Sequence, residues 1–271
     1  PGLVVASIGG FAGRDAELPA YDLLAQAMSG LMAVTGEREG TPQKVGVAVL
    51  DLLAGLELAL GAVAALLGRA RGGDSGTVSV SLMESSVAAL TNVLANHLAS
   101  GVEPERWGNE HANIVPYQVF ATRDGHVAVA VGNDAQFGRL LDVLGLHRQE
   151  RYATNTQRVA ARGELIPWLS RAIEGRGRDE LVAALRDADV PAGPVSEVGA
   201  ALRAMEDAHD GQWLQAAGEM RLAPDPIRLN GEHLPLRGAP PTLGQHTDEI
   251  LRELGLDQQQ IGVLRRDAVI A

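Results

Sequence analysis

The chain has 271 residues and a formal charge of −11, enough for one large domain or two modest ones. The acidic balance supplies no basic stripe to neutralise phosphates, which argues against a nucleic-acid or anionic-membrane partner and leaves room only for a locally basic pocket. Apolar residues make up 46% and aromatics 3%, so the core is built from many small contacts, and the absence of Cys excludes disulfides, iron–sulfur clusters and cysteine nucleophiles.

Leu3–Ile8 reads as a buried strand, apolar on both faces, of the kind found in parallel sheets. A Gly-rich loop, Gly9–Leu18, leads to Pro19–Ala20–Tyr21, and residues 22–34 have helical spacing. Gly36–Pro42 is a turn region. After Asp51 comes an apolar run, Leu52–Leu67, broken only by Glu57, which predicts a buried helix stopping at Arg69–Gly73. Thr77–Val80 is a short β-branched strand, Leu82–Leu98 a second apolar helix, and Gly101–Asn113 a polar loop.

The texture changes near Ile114. Tyr117–Thr122, the turn Arg123–Asp124–Gly125 and His126–Val131 predict a hairpin. Helices are expected at 135–144, 158–174 and 178–188, then an interruption at Val190–Val195, then a helix at 197–206. Residues 221–244 are Pro-rich and extended, and helices at 247–254 and 258–266 close the chain. No signal-peptide pattern is visible, and Leu52–Leu67 is short for a membrane span and carries Glu57, so a soluble, cytoplasmic protein is expected.

Standard site motifs fail on spacing. Gly9, Gly10 and Gly13 miss the dinucleotide fingerprint, and neither a P-loop nor G-x-S-x-G is present. The seven His are scattered without metal-ligand spacing, so no metal is expected. What remains is Asp51 at the mouth of the long helix. Two readings stand there: a helix N-cap, or an ionised carboxylate serving as nucleophile or base.

Four ordered segments carry a family likeness. They are Tyr21–Met32 with Thr35–Gly36 and Lys44–Asp51; Val78–Glu84; Asn113–Phe120 with Asp124–Gly125 and Ala128–Asp134; and Pro240–Thr247. In this order they resemble the class III coenzyme A transferases, the CaiB/BaiF family of formyl-CoA transferase and carnitine CoA-transferase, from Leu3 to Leu256. The resemblance implies that Asp51 is the nucleophile, that Leu18, Pro19, Ala20 and Tyr21 contact CoA, and that Gly132 and Asn133 lie on a loop closing over the acyl group. Tyr21 and Asp51 stand 30 residues apart, as in the family pattern. Read from the residues alone, Tyr21 is equally a core tyrosine and Gly132–Asn133 merely the end of a strand.

The implied reaction moves CoA between an acyl-CoA thioester and a carboxylic acid through an aspartyl anhydride and thioester. CoA is then a substrate and no cofactor is held permanently. The implied fold is α/β: an incomplete Rossmann-like large domain with an inserted smaller α+β domain. The expected boundaries are 1–75 with the aspartate, a linker and long helix at 76–112, the small domain at 113–200, a linker at 201–225, and a return to the large domain at 226–271. The resemblance also implies an interlocked homodimer and a further segment ahead of Pro1, without which this chain is expected to bind CoA weakly; a front half on another chain is the alternative. Two other functions compete. The related α-methylacyl-CoA racemases carry a histidine where this chain has Tyr21, followed here by Asp22, which argues against that chemistry. A non-catalytic subunit is the third reading.

Overall fold

The computed structural model describes residues 2–73 and 76–270, so Pro1 and residue 75, where the first boundary is expected, lie outside the described residues. The chain divides into two compact units, Pro1–Val195 and Ser196–Ala271.

In the first unit, β1 (Val5–Gly9) pairs in parallel with β2 (Thr77–Ser81), Val5 opposite Thr77 and Gly9 opposite Ser81. The parallel partner is as expected, but the burial is not: all five β1 residues are exposed. The predicted helix over 22–34 is two, α1 (Asp22–Met28) and α2 (Leu31–Val34), because Gly30 between them takes a left-handed φ of 94°.

Helix α3 runs from Val49 to Ala70. It starts two residues ahead of Asp51, so Asp51 is its third residue and not its cap; Ala48 holds the cap position. Nor is the helix buried, since Leu50 and Ala54 are the buried residues within it. One side packs on β1, β2, α1 and α4 (Leu82–Ala89), while Leu52, Leu56, Leu60 and Val63 are exposed. With Val49–Asp51 and Gly68–Ala70 at its ends, α3 has 22 residues and is long and apolar enough by length and composition to cross a membrane, which the shorter run Leu52–Leu67 did not suggest. The charge in the middle of the helix is used in packing: the Glu57 carboxylate accepts from the buried Ser85 hydroxyl of α4. The predicted helix over 82–98 is broken after Leu90, and α5 (Thr91–Ser100) follows from Thr91 at φ 45°.

A small core gathers Ala25, Leu50, Ala54 and Leu82, with Ala20, Leu31, Val49 and Val80 against it. Gly10 shows how tightly the preceding loop folds onto it. A Cβ there would lie 2.0 Å from the Ala20 Cβ, so only glycine allows the approach.

A larger core lies further along the same unit. Strands β3 (Tyr117–Thr122) and β4 (Gly125–Ala130) form the expected hairpin, and β5 (Ala192–Pro194), from the predicted interruption, adds an antiparallel third strand beside β4. The alternation buries Gln118, Phe120, Thr122, Val127 and Val129 on one face. Helices α6 (Asp134–Leu144), α7 (Asn155–Ala160), α8 (Arg162–Ile173) and α9 (Arg178–Asp187) cover it with residues such as Phe137, Leu141, Leu165, Leu169 and Leu185. The predicted helix over 158–174 begins earlier and is interrupted at Ala161, because a Thr154–Gln157 capping box starts α7 at Asn155.

The second unit holds α10 (Val198–Ala208), two short antiparallel ribbons, and the terminal helices. The ribbons are β6 (Gln215–Ala217) with β7 (Met220–Leu222), and β8 (Arg228–Leu229) with β9 (Glu232–His233). They occupy part of the stretch expected to be merely extended. Helices α11 (Thr247–Glu253) and α12 (Gln258–Arg266) are tied by Asp248, which pairs with Arg252 at 3.4 Å and Arg265 at 2.7 Å.

Candidate active site

The first turn of α3 presents backbone N–H groups that need acceptors. Each has one. Val49 N donates to Val47 O at 2.9 Å, and Leu52 N to Ala48 O at 3.3 Å. The two between them go to a carboxylate from another helix: Asp22 Oδ2 accepts from Leu50 N at 2.8 Å and Asp51 N at 3.3 Å. Asp22 therefore does the capping that position alone suggested for Asp51.

Asp22 is itself held. Its Oδ1 accepts from Gln26 Nε2, and Gln26 Oε1 accepts from Val45 N at 2.9 Å. Gln26 is fully buried, at 0% exposure. The chain of bonds runs from Val45 through Gln26 and Asp22 to the head of α3. Neither Asp22 nor Gln26 was singled out by sequence reasoning. The signal was available as a polar i,i+4 pair inside an otherwise apolar helix, Leu23, Leu24, Ala25, Ala27 and Met28 being the rest.

Asp51 is exposed, with Leu50 before it and Ala54 one turn on both buried. The helix is thus anchored by its packed side and turns the carboxylate outward. No hydrogen bond to the Asp51 carboxylate occurs among the described residues.

The other expected residues divide into two groups. Tyr21 immediately precedes Asp22 and is 76% exposed, so it is no core tyrosine. Its carbonyl accepts from Leu24 N and Ala25 N, making it the extended cap of α1. Leu18 and Pro19 are exposed, and Ala20 packs on the small core beside Leu50. The structure therefore sets Ala20 on the same small core as Leu50, and links Tyr21 to the backbone of Asp51 through Asp22; Leu18 and Pro19 form no hydrogen bond with Asp51 among the described residues.

Gly132 and Asn133 are exposed, between Val131 and Phe137 of the larger core. They lie beyond the end of β4 at the entrance to α6, where Asn133 Oδ1 accepts from Gln136 N at 2.9 Å as the helix cap. Gln136 Oε1 in turn accepts from Gly132 N at 2.7 Å. The turn is a capping device, not just a strand end, and the Gly132 amide that an oxyanion hole would use is engaged in this conformation. No hydrogen bond links Gly132 or Asn133 to Asp51 among the described residues. A cleft of about 360 Å³ lies beside α6 between Asp134, Phe137, Arg148 and Tyr152, and its lining includes none of Leu18–Tyr21 or Asp51.

The polar loop between the cores is bolted to both. Arg106 donates to Glu37 O, Ala33 O and Gly40 O, while Arg162 of α8 donates to Glu110, His111 O and Ala112 O. Trp107 lies between the guanidinium groups of Arg38 and Arg162, 4.4 and 4.5 Å from the ring. Among the described residues no cluster of three or more His, Asp or Glu could hold a metal ion.

Comparison with known proteins decides the family. A family model described as CoA-transferase family III matches residues 1–247. The chain belongs to CoA-transferase family III. This transferase-family chain is 36% identical over 269 residues to a succinate–glutarate CoA-transferase of Agrobacterium fabrum, covering 94% of the chain and 66% of that protein. It is 34% identical over 281 residues to the human succinyl-CoA:glutarate CoA-transferase, covering 100% of the chain and 64% of that protein. The chain thus spans somewhat under two thirds of the length of these curated relatives. A crystal structure of a CaiB/BaiF family protein from Brucella suis superposes with a TM-score of 0.80 at 38% identity, over 94% of this chain and 68% of that one. The mixed α/β architecture of helices and small sheets is therefore that of the family.

Proposed function

We propose that the chain carries the nucleophilic half of an acyl-CoA:carboxylate CoA-transferase, with Asp51 as the nucleophile. The observation that carries this reading is the placement of Asp51 in a member of this family: an outward carboxylate on an anchored helix turn, with the backbone donors around it already bonded. A carboxylate without hydrogen-bond donors to stabilise its charge keeps its lone pairs available for attack.

In the proposed sequence, an Asp51 carboxylate oxygen attacks the thioester carbonyl carbon. The C–S bond breaks, CoA leaves as the thiolate with the electron pair, and a mixed anhydride remains on Asp51. The thiolate then attacks the aspartyl carbonyl, releasing the first acid as its carboxylate and leaving an aspartyl-CoA thioester. The acceptor carboxylate attacks that thioester, expelling the thiolate and forming a second anhydride. Attack of the thiolate on the acceptor's acyl carbon gives the new thioester and regenerates Asp51. Leu18–Tyr21 are assigned to CoA contact. Gly132 and Asn133 are assigned to the cover that keeps water from the anhydride, with the Gly132 amide exchanging Gln136 for the acyl oxygen.

The same reading takes the parallel β1–β2 pair and α3 as part of a Rossmann-like domain, with 113–200 inserted as a small α+β domain. It also takes the working protein as a cytoplasmic homodimer. The names of the two curated relatives, built on succinate and glutarate, support a small dicarboxylic acid as acceptor.

The test is chemical trapping. With succinyl-CoA and hydroxylamine, the expected product is a hydroxamate on Asp51, located by peptide mass spectrometry and absent from Asp51→Asn. Transfer to glutarate should fall by roughly 10⁴-fold or more in that variant. A full transfer rate in Asp51→Asn would overturn the assignment.

A further inference from the structure

We infer that Asp22, locked by the buried Gln26, is a positioning residue that keeps the Asp51 carboxylate free for attack. This deepens the reading of Asp51 as nucleophile and rests on it. The argument starts from where Asp51 sits. A carboxylate in the first turn of a helix ordinarily turns back toward the unbonded N–H groups of that turn and their dipole. Bonded in that way, the Asp51 oxygens would be both misdirected and less nucleophilic.

Asp22 removes that option. Its Oδ2 takes the N–H groups of Leu50 and Asp51, while Val47 O and Ala48 O take those of Val49 and Leu52. Every donor of the turn is occupied by an acceptor other than Asp51. The arrangement needs Asp22 to stay in place, and Gln26 supplies that. At 0% exposure, it binds Asp22 Oδ1 with its amide N–H and accepts from Val45 N with its amide oxygen. A buried polar side chain satisfied at both ends is a stiff link, because releasing either bond leaves an unpaired group out of water. Asp22 also follows Tyr21 directly, so one bonded unit sets the register between the segment assigned to CoA and the nucleophile.

The experiment compares the full chain with Asp22→Ala and Asp22→Asn. Asn keeps one side-chain oxygen, able to accept from Leu50 N only while its amide N–H groups face Gln26 Nε2, so it retains the helix contact without the Gln26 bond, whereas Ala retains neither. Two readouts are taken. Amide hydrogen exchange at Leu50 and Asp51 is expected to speed up in Asp22→Ala, with Leu165 and Leu169 of the larger core unchanged, and to lie between the parent and Asp22→Ala in Asp22→Asn. Unchanged exchange at Leu50 and Asp51 in Asp22→Ala would overturn the tether. The second readout is the rate of hydroxamate formation at Asp51 with saturating succinyl-CoA. It is expected to fall about ten- to a hundredfold in Asp22→Ala, with KM for the thioester little changed, and to be partly restored in Asp22→Asn. Faster exchange without a slower trapping rate overturns the positioning role, because the tether is then structural only. Failure of the complete protein to form the adduct counts against the Asp51 assignment, and the exchange data then report on the tether independently.

Discussion

Arg158 is a larger commitment than any residue at the candidate site. It is fully buried, and its guanidinium donates to Val115 O at 2.7 Å, Tyr152 O at 3.1 Å and Ala153 O at 3.2 Å, with Asp134 Oδ1 2.8 Å away and the Phe137 ring beneath it. Three loop carbonyls thus take their donor from one side chain. Arg158→Met, similar in length but unable to donate, should cost about 3–5 kcal/mol, because the Val115 and Tyr152 carbonyls stay buried and unpaired. Urea unfolding followed by fluorescence of Trp168, which packs on Tyr152 at 5.8 Å, would measure it. A midpoint within error of the parent would show that water replaces the guanidinium. Arg158 was not legible as a hub in the sequence, and of the bonds of Asp22 only the i,i+4 link to Gln26 was, because the remaining partners leave no local signal. Those partners are backbone groups brought close by tertiary folding, 43 and 28 residues away, and a backbone carbonyl or amide has no letter of its own. Asp51 was legible as a group near a helix start because carboxylates favour that position. Which carboxylate held the cap depended on a second helix.

At the scale of elements, α3 lies against β2 through a glycine. A Cβ on Gly61 would come within 2.6 Å of Val78 Cγ1, and Val78 is β-branched and stiff about χ1. Gly61→Ala sets two effects against each other. Replacing a helical glycine by alanine gains about 1 kcal/mol of helix propensity, while overpacking costs typically about 1–3 kcal/mol. With the strand backbone fixed by its β1 partner, overpacking should win by about 1 kcal/mol. The double variant Gly61→Ala/Val78→Ala removes the clash and should be more stable than Gly61→Ala alone, as thermal melts of the four proteins would show. Additive effects would mean that the helix slides away from the strand without cost. This contact also explains what the periodicity of α3 conceals. An apolar residue at nearly every position reads as a helix buried all round, yet the neighbours β1, β2, α1 and α4 contact one side. The hairpin was far more legible, because alternation and the Asp124–Gly125 pair are local signals that the sheet simply realises. Breaks inside helices fall between these cases: Gly30 is a visible stop, while Leu90–Thr91 carries no glycine or proline to announce one.

At the scale of the whole molecule, buried apolar material is unevenly shared. The larger core of the first unit gathers aromatic and aliphatic side chains from a three-stranded sheet and four helices. In Ser196–Ala271 the buried residues among those described are Ala217, Pro224 and Ile261, and the strands are two or three residues long. Ion pairs contribute there, such as Glu206 with Arg221 at 3.1 Å, but half-exposed pairs are typically worth only about 0–1 kcal/mol. Local opening free energy follows buried apolar contact, so the second unit should open at far smaller cost than the larger core. Limited trypsin digestion under native conditions is therefore expected to cut first after Arg228 and Arg237, both outside helices, while Arg158 and Arg176 in the larger core stay intact. Adding 0.5 M sodium chloride should hasten the early cuts by screening the surface pairs, and should leave the core fragment's lifetime unchanged. First cleavage within residues 117–190 would overturn this ordering. It would mean that short ribbons and surface pairs hold the second unit more firmly than its small buried core allows.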